Sequence, residues 1–415
     1  MTAVTNPRGR CFISYRRLPH RVDEAVRLQM ALNDRGVPTW RDMVDLAPRP
    51  TERELDAILA DPDTAGAVML VCSEVQDSSM IRNVEAPNIF ARVRPDDPFF
   101  VRPVLIDVDY PQADDMLGRP AGFQNLQDWN LTRLGEDLLD DEAAKLIATK
   151  VLQDRLTAIS TLEPKELQIG IFTRRLDQQL SYDIRHDFSG YFAGRLPTTC
   201  AYPTIERALV DTAKAILRSN APRSLIVQGA CSYAAAILFG AVFSPLAPFQ
   251  VRWLQSLPGH SPELWGLDTG STSARLSVSE SRGDPASNQI VLAMGVNASI
   301  ESASADYLRE TGLKPRVCLY AEPEGGPLRQ GQSLSSTEGL SLALQAVDAL
   351  RDAKDKLRMK TAEVHLFLAC PVAMAMLIGQ KLNTFAMCHL YEHAPDRSPA
   401  YVKVHAFNPS AYSYS

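Results

Sequence analysis

The sequence lacks long apolar segments, a paired-cysteine motif and an apolar leader. No window reaches 18 apolar residues without a charge, and the closest approach, residues 234–246, has the length of a buried helix. The seven cysteines show no C-x-x-C spacing, which argues against a zinc or dithiol redox site. The opening residues, 1–10, are polar and carry no signal-peptide core. These absences predict a soluble cytoplasmic protein that does not contact a membrane.

An excess of positive charge is absent as well. The 43 lysines and arginines stand against 49 aspartates and glutamates, for a formal net charge of −6. Proteins that grip long nucleic acids by their phosphates are usually basic, so this balance argues against that class. A small anionic ligand stays compatible with it, because a few backbone amides and one or two cations are enough to hold one.

The residues that are present predict a folded α/β protein of several domains. Apolar residues make up 45% of the 415 positions, which excludes a disordered chain and predicts two or three domains. Apolar runs at Cys11–Tyr15, Ala65–Cys72 and Phe99–Val108 are typical of strands. Helical spacing separates them at Val22–Asn33 and after Thr51. This alternation predicts a parallel α/β sheet.

A mixed-charge stretch at 134–158 predicts the last helix of this first domain. The first domain is therefore expected to span residues 1–155 and the second residues 156–415. The second region carries an internal repeat, because Leu225–Gly240 aligns with Val364–Gly379 at a constant offset of 139 residues. Six of the sixteen aligned positions are identical. Each copy has the pattern of a strand, a turn of small residues and a helix, which predicts two similar halves.

Two polar motifs in the first domain are candidates for chemistry. Arg16 and Arg17 follow the first strand, and ligands bind at the carboxyl edge of parallel sheets. Guanidinium groups there suit an anionic substrate, although a solvated surface turn is the alternative. Glu85 follows the predicted strand Ala65–Cys72, where a carboxylate can stabilise a developing cation or polarise a ribose hydroxyl. Its alternative role is to complement a helix dipole.

Together, these segments resemble a TIR domain. The resemblance is carried, in the family's order and spacing, by Phe12–Arg17, Gly36–Asp42, Val68–Ser73, and Ser79 with Glu85. It implies a flavodoxin-like fold and, as in bacterial defence members, hydrolysis of NAD+ at the nicotinamide–ribose bond. Two departures from the family pattern are Ile81, where enzymatic relatives often have an aromatic residue, and Pro48–Pro50, where a glycine is common.

The TIR resemblance also assigns roles to individual residues. Glu85 falls at the position of the family's catalytic glutamate. The candidate substrate-binding residues are Arg16, Arg17, Trp40, Asp42 and Ser78. NAD+ is the expected substrate, and neither a further cofactor nor a metal is expected.

The carboxyl-terminal half resembles a SAVED domain, a cyclic-nucleotide sensor that fuses two CARF-like, Rossmann-like halves. The carrying segments are His365–Pro371, the helix at 373–379, Leu390–Glu392 and the strand Tyr401–Phe407. A TIR domain followed by a SAVED domain is the layout of effectors in cyclic-oligonucleotide antiphage signalling (CBASS). The resemblance implies that a cyclic di- or trinucleotide from a partner synthase, with the trinucleotide favoured, binds SAVED and activates the TIR domain.

The turns of the repeat are the expected ligand site. Small residues let a ligand approach the backbone, and helix amino-terminal amides can bind a phosphate, although these residues also allow a helix to pack on a strand. Tyr391 and Glu392 end a strand where they could read a base edge. The candidate cyclic-nucleotide-binding residues are Gly229, Cys231, Ala369, Cys370, Pro371, Tyr391 and Glu392.

Activation is expected to proceed by self-association through both domains. A small α/β domain with an exposed catalytic Glu85 has little surface with which to enclose a dinucleotide. A neighbouring copy would complete the site, with the Asp45–Pro50 loop as the candidate contact. Two alternatives stay open. One is a non-enzymatic TIR adaptor that only assembles, and the other is a SAVED-like enzyme acting on a nucleotide with TIR as its scaffold.

Overall fold

The chain forms two compact α/β units. In the computed structural model, the described residues are 4–41, 51–117, 126, 131–134, 139–175, 181–256, 261–270 and 272–412. Unit 1 comprises Met1–Gly170, Gln178–Asp187 and Lys214–Pro222. Unit 2 comprises Ile171–Asp177, Phe188–Ala213 and Arg223–Ser415. The domain boundary after residue 155 stays a prediction.

Strands and helices alternate along most of the chain. The strands are β1 Arg10–Ser14, β2 Thr39–Trp40, β3 Thr64–Val71, β4 Phe100–Leu105, β5 Thr132–Arg133, β6 Leu167–Phe172, β7 Ile184–Asp187, β8 Phe192–Ala193, β9 Leu196–Pro197, β10 Ser224–Gln228, β11 Gln250–Gln255, β12 Glu263–Gly266, β13 Leu276–Arg282, β14 Gln289–Gly295, β15 Val317–Pro323, β16 Glu363–Ala369, β17 Met387–His393 and β18 Tyr401–Phe407. The α-helices are α1 Pro19–Asp34, α2 Thr51–Ala60, α3 Ala86–Arg92, α4 Tyr110–Leu117, α5 Asp141–Ser160, α6 Ala201–Arg218, α7 Tyr233–Val242, α8 Glu301–Thr311, α9 Ser336–Lys356 and α10 Val372–Gly379.

The sheet of unit 1 is parallel, as the alternating pattern predicts. Its strands lie in the order β2-β1-β3-β4-β5, and each neighbouring pair runs parallel. This is the flavodoxin-like order of doubly wound sheets. All eight residues of β3 are buried, because the helices of a doubly wound fold cover both faces of a central strand.

The predicted start of the helix at 134 is wrong. Leu134 directly follows β5, and α5 begins only at Asp141. Asp140 caps this helix by accepting a hydrogen bond from the Ala143 N–H at 2.7 Å. Carboxylates in the first turn complement the helix dipole, so the acidic residues mark the beginning of the helix rather than its interior.

Unit 2 contains a six-stranded mixed sheet in the order β13-β15-β14-β16-β17-β18. Its four central strands pair in parallel, and β13 and β18 join the two edges antiparallel. In the same unit, β10 pairs in parallel with β11, and β12 continues antiparallel. The protein is therefore a mixed α/β fold built on parallel sheets.

α7 packs against α10 at positions that the internal repeat makes equivalent. A Cβ added to Gly240 on α7 would come within 3.0 Å of the Met376 carbonyl oxygen on α10. A Cβ added to Gly379 on α10 would come equally close to the Ile237 carbonyl oxygen on α7. Both pairs are related by the same offset of 139 residues. The two halves therefore meet across a pseudo-two-fold axis that passes between these helices.

Most of the cysteines and two of the tryptophans are buried in the core. All seven cysteines are free thiols, and only Cys200 among them is exposed. Trp253 and Trp265 lie opposite each other on β11 and β12 and are buried, so they belong to the core. Among the residues that the structure describes, no helix is both long and apolar enough to cross a membrane.

Candidate functional site

The first candidate site lies at the carboxyl edge of the unit 1 sheet. The strand order reverses between β1 and β3, and ligands of open α/β sheets bind in the crevice at this switch point. A cavity of about 190 Å³ opens there. It is lined by Tyr15, Arg16, Arg17, Ser78, Met80, Ile81 and Glu85. The structure thus brings together four of the residues predicted from the sequence.

Glu85 is positioned by a π turn. The turn spans Ile81–Glu85 and runs directly into α3, and such turns are frequent at functional sites. Glu85 is only 6% exposed, so the expectation of an exposed glutamate is wrong. Within the described residues its side chain makes no capping bond to α3. Instead its Oε2 accepts a hydrogen bond of 2.6 Å from the Ser14 hydroxyl.

The two arginines differ in their surroundings. Arg17 is exposed, whereas Arg16 is partly buried along the cavity. The Arg16 Nε is buried and has no hydrogen-bond partner among the described residues. A buried donor without an acceptor is costly, so this position is energetically unfavourable in the absence of an acceptor. A carboxylate and two arginines beside one cavity suit a polar, anionic substrate.

Ser78 supports the turn that carries Glu85. Its side chain is buried, and its Oγ accepts a hydrogen bond of 3.3 Å from the Ile81 N–H. Ile81 is itself buried, so the cavity wall at this position is aliphatic. Ile81 replaces the aromatic residue that enzymatic TIR relatives often have at this position, so this part of the wall lacks a ring. The aromatic side chain that lines the cavity is that of Tyr15.

Trp40 lies away from Glu85. Its ring is buried and stacks on Phe12 with ring centroids 5.2 Å apart. It lines a separate cavity of about 530 Å³ with residues such as Arg10 and Asp63, which begin or precede strands at the amino edge of the sheet. Asp42 and the Asp45–Pro50 loop lie outside the described residues.

A second polar cluster, which the sequence reasoning missed, lies at the same carboxyl edge. Arg21 on α1 is 4% exposed and forms ion pairs with Glu24, Glu74 and Asp107. Burial alone would raise the pKa of Glu74, but hydrogen bonds from the backbone, Cys72 and Arg21 lower that pKa to about 2. Asp107 adopts φ +58° and accepts hydrogen bonds from the Ser73 amide and hydroxyl at 3.0 Å. The cluster fixes the turns that follow β3 and β4.

The second candidate site comprises the two turns of the repeat in unit 2. The Ala230 carbonyl accepts the Thr173 N–H at 3.0 Å. Its repeat partner Ala369 accepts the N–H groups of Val296 and Asn297 at 2.8 Å. These bonds tie each turn to the end of another strand, so equivalent turns have equivalent backbone support.

Gly229 and the two cysteines of these turns serve packing. Gly229 adopts φ +149°, and a Cβ there would clash with the Ile171 carbonyl, so close backbone approach explains the glycine. Cys231 and Cys370 are buried. Burial raises the pKa of the Cys370 thiol to about 12, which keeps it protonated and unreactive. Pro371 precedes α10 as its N-cap residue.

The amino termini of α7 and α10 are occupied by side chains. The Ala234 N–H of α7 donates to Glu392 Oε1 at 3.4 Å, and the Ala373 N–H of α10 donates to Gln255 Oε1 at 3.2 Å. Ala234 and Ala373 are repeat partners. The expectation that these amides face a phosphate is therefore not met at these two positions, because each half caps the helix of the other.

The structure separates Tyr391 from Glu392. Neighbouring residues of a strand point to opposite faces. Tyr391 packs on Phe367 with ring centroids 4.1 Å apart, and its hydroxyl bonds to His365 Nδ1 at 2.6 Å. Glu392 points to the other side and accepts the Tyr202 hydroxyl at 2.6 Å. Burial raises the pKa of Glu392, and this hydrogen bond, among others, opposes the shift.

Polar residues that the sequence reasoning missed surround these turns. Burial raises the pKa of Tyr233 to about 12, an effect opposed by the charge of Arg174 and a hydrogen bond with Asn297. Arg174 is exposed just beyond β6, and Asn297 lies just beyond β14. A signal for Arg174 was present, because Thr173-Arg-Arg175 follows its strand as Tyr15-Arg-Arg17 follows β1. The position of Asn297 has no comparable signal.

This region is thus a mixed α/β unit with polar groups beyond the ends of its parallel strands. Residues 207–407 match the family model described as SAVED, the SMODS-associated and fused to various effectors sensor domain. This part of the chain is therefore a SAVED domain, as the resemblance implied. No curated protein matches the chain.

Solved structures of Cap4 SAVED/CARF-domain containing receptors are similar to the chain. The Acinetobacter baumannii receptor with the cyclic trinucleotide 3′3′3′-cAAA is 15% identical, with a TM-score of 0.49, covering 82% of this chain and 88% of that one. The same receptor with 2′3′3′-cAAA has a TM-score of 0.48 at the same identity and coverage. The Moraxella osloensis receptor is 14% identical, with a TM-score of 0.44, covering 94% of this chain and 99% of that one.

Proposed function

We propose that this chain is an antiviral effector of CBASS type, in which a cyclic oligonucleotide bound by the SAVED domain activates hydrolysis of NAD+ by a TIR domain in unit 1. The SAVED match supports the sensor role, because the family is described as a sensor domain that is fused to various effectors. The observation that carries the enzymatic part is the Glu85 carboxylate, held by Ser14 in a cavity at the switch point of a flavodoxin-like sheet.

The proposed reaction breaks the bond between the nicotinamide nitrogen and C1′ of the ribose. The bonding electrons leave with nicotinamide, which becomes neutral, and C1′ acquires oxocarbenium character. The Glu85 carboxylate stabilises that positive charge and orients the ribose hydroxyls. Water then adds to C1′ and loses a proton, so the products are nicotinamide, ADP-ribose and H+. Arg16, which lines the cavity, binds an oxygen of the substrate in this proposal.

The size of the cavity supports activation by assembly. Ligand sites commonly enclose roughly 300–1,000 Å³, whereas this cavity holds about 190 Å³. It accommodates the reacting end of NAD+ and leaves the rest of the dinucleotide to another surface. A second copy of the chain supplies that surface in our proposal, and the Asp45–Pro50 loop is the candidate segment. Ligand binding to SAVED then acts by promoting a repeating, head-to-tail contact between copies.

The sensor site is proposed at the paired turns of the repeat, with a cyclic trinucleotide as the favoured ligand. Arg174 provides an exposed cation near the first turn, and Asn297 and Tyr233 provide polar groups near the second. Arg174→Ala is expected to weaken binding of the cyclic oligonucleotide. Lys356→Ala is the matched control, because Lys356 ends α9 ahead of β16 and so lies toward the opposite edge of the sheet. Calorimetric titration of both variants compares the two positions.

The test of the whole proposal uses the full chain, NAD+ and a panel of cyclic di- and trinucleotides, with nicotinamide release as the readout. Release that requires one member of the panel supports the proposal. Assembly is followed by light scattering, which should rise only with that member present. If the chain assembles but releases no nicotinamide with any member, the non-enzymatic adaptor is the better description.

A further inference from the structure

Ser14 stands out because it bonds directly to the proposed catalytic group, although the sequence analysis assigned it no role. It is the last residue of β1, is 2% exposed, and donates its hydroxyl to Glu85 Oε2 at 2.6 Å. Hydrogen bonds to an ionised carboxylate are stronger than those between neutral groups. The contact joins the central part of the sheet to the π turn, 71 residues further along the chain.

The two partners differ in how firmly the fold holds them. β1 pairs in parallel with β2 on one side and with β3 on the other, where Ser14 is in register with Met69. A serine on such a strand has a single rotatable side-chain bond before its oxygen, so its hydroxyl position is narrowly defined. Glu85 has three rotatable bonds and lies at the end of the short Ile81–Glu85 turn. Ser14 therefore limits the positions that the Glu85 carboxylate can adopt.

We propose that Ser14 is the positioning residue for Glu85 in the reaction proposed above, on which this inference rests. Its hydroxyl holds the carboxylate beside Arg16 and Arg17 in the cavity before the substrate arrives. A small misplacement of a catalytic group costs much of its effect, so fixing the carboxylate favours the transition state more than substrate binding. Ser14 itself does not touch the reacting atoms.

The test compares two replacements of Ser14 with a control in the neighbouring strand. Ser14→Ala removes the donor, and Ser14→Thr retains it in a residue that suits a strand. Thr64→Val is the control, because Thr64 begins β3 and its buried hydroxyl donates a bond of the same length, 2.6 Å, to the Ile58 carbonyl. This control removes a buried hydroxyl from the opposite edge of the same sheet.

Ser14→Ala is expected to lower kcat about 10- to 100-fold with little change in KM, the range that follows from a lost hydrogen bond to a charged group. Ser14→Thr should restore most of the rate, and Thr64→Val should leave it unchanged. Equal melting temperatures for the two Ser14 variants would exclude a general loss of folding as the cause.

The outcomes separate this inference from the proposed function. If the wild type releases nicotinamide and Ser14→Ala does so at the same kcat, Ser14 has no positioning role and the inference is wrong while the function stands. If the wild type releases none with any cyclic oligonucleotide, the proposed function fails and the positioning role of Ser14 in that reaction fails with it. A double-mutant cycle of Ser14→Ala and Glu85→Gln in thermal unfolding then tests the contact itself, and additive effects would show that no such contact exists.

Discussion

The carboxyl edges of the two units hold their polar groups in opposite ways. In unit 1, the edge contains a cavity in which the Arg16 Nε lacks a partner among the described residues and Glu85 is held by a neighbouring strand. In unit 2, the helix termini beside the predicted ligand turns are already capped by Gln255 and Glu392. The first edge thus leaves a cavity between its polar groups, whereas the second uses its own side chains to join two halves.

This difference fits the division of labour that we propose. A catalytic site benefits from donors and charges that are arranged before the substrate arrives. A sensor must instead change its arrangement when a ligand binds, and contacts between its halves are a means of coupling them.

Glu85→Gln is expected to lower nicotinamide release by about 100- to 1,000-fold, the range for removing one electrostatic stabiliser of a transition state. Affinity for the cyclic oligonucleotide should not change, because that site lies in unit 2. Asp77→Asn is the control, since it removes an exposed carboxylate close to Ser78. Near-normal turnover by the Glu85 variant, measured with NAD+ and the activating ligand, would contradict the enzymatic assignment.

Gly240→Ala and Gly379→Ala are expected to destabilise unit 2 by similar amounts, each about 1–3 kcal/mol, the range for overpacking. Each new Cβ would collide with a carbonyl oxygen of the facing helix, and the two sites are equivalent under the repeat. Gly190→Ala is the control, because the space around it is open. Thermal unfolding measures all three. A large effect at only one of the two paired glycines would contradict the pseudo-two-fold packing.

Glu392→Ala is expected to cost more stability than Gln255→Ala, although the two residues cap equivalent helices. Glu392 accepts bonds from both Tyr202 and the Ala234 N–H, whereas Gln255 is the neutral cap of Ala373. A typical hydrogen bond contributes about 1 kcal/mol, so losing two bonds should cost more than losing one. Chemical denaturation of both variants gives the comparison. Equal losses would mean that the second hydrogen bond of Glu392 adds nothing to stability.

Low pH is expected to remove the stabilisation that Glu74 gives to unit 1, whereas high pH is expected to remove the stabilisation that Glu392 gives to unit 2. The pKa of Glu74 is lowered from 4.5 to about 2, so its stabilisation is present above pH 4.5 and is lost as pH falls through about 2. The pKa of Glu392 is raised, so the stability it contributes is complete at pH below the ordinary glutamate pKa and is lost as pH rises through its folded value.

Unfolding free energies measured against pH in single variants separate these two effects. Glu74→Gln should reduce the loss of unfolding free energy as the pH falls, and Glu392→Gln should reduce the loss as the pH rises. Glu280→Gln, in the exposed part of β13, should change neither dependence. If Glu74→Gln and Glu392→Gln both reduced the loss in the same pH range, the opposite directions of the two pKa shifts would be contradicted.

Much of the fold was determined by the sequence alone, because the signals are local or periodic. Apolar runs mark β1, β3 and β4, and buried parallel strands need such runs whatever their partners. The offset of 139 residues identified the repeat, and its shared glycines proved to be the positions where α7 and α10 approach most closely. The SAVED resemblance, which rests on these same segments, is confirmed over residues 207–407.

Which polar groups meet depends on strand order and helix packing. Ser14 and Glu85 are 71 positions apart, and Glu392 and Ala234 are 158 apart, so nothing in their spacing announces a hydrogen bond. Tyr391 and Glu392 are adjacent in sequence and were grouped for that reason, yet the alternation of a strand places them on opposite faces. A sequence specifies side-chain chemistry and local pattern, whereas the pairing of distant groups depends on strand order and helix packing, which the whole chain determines together.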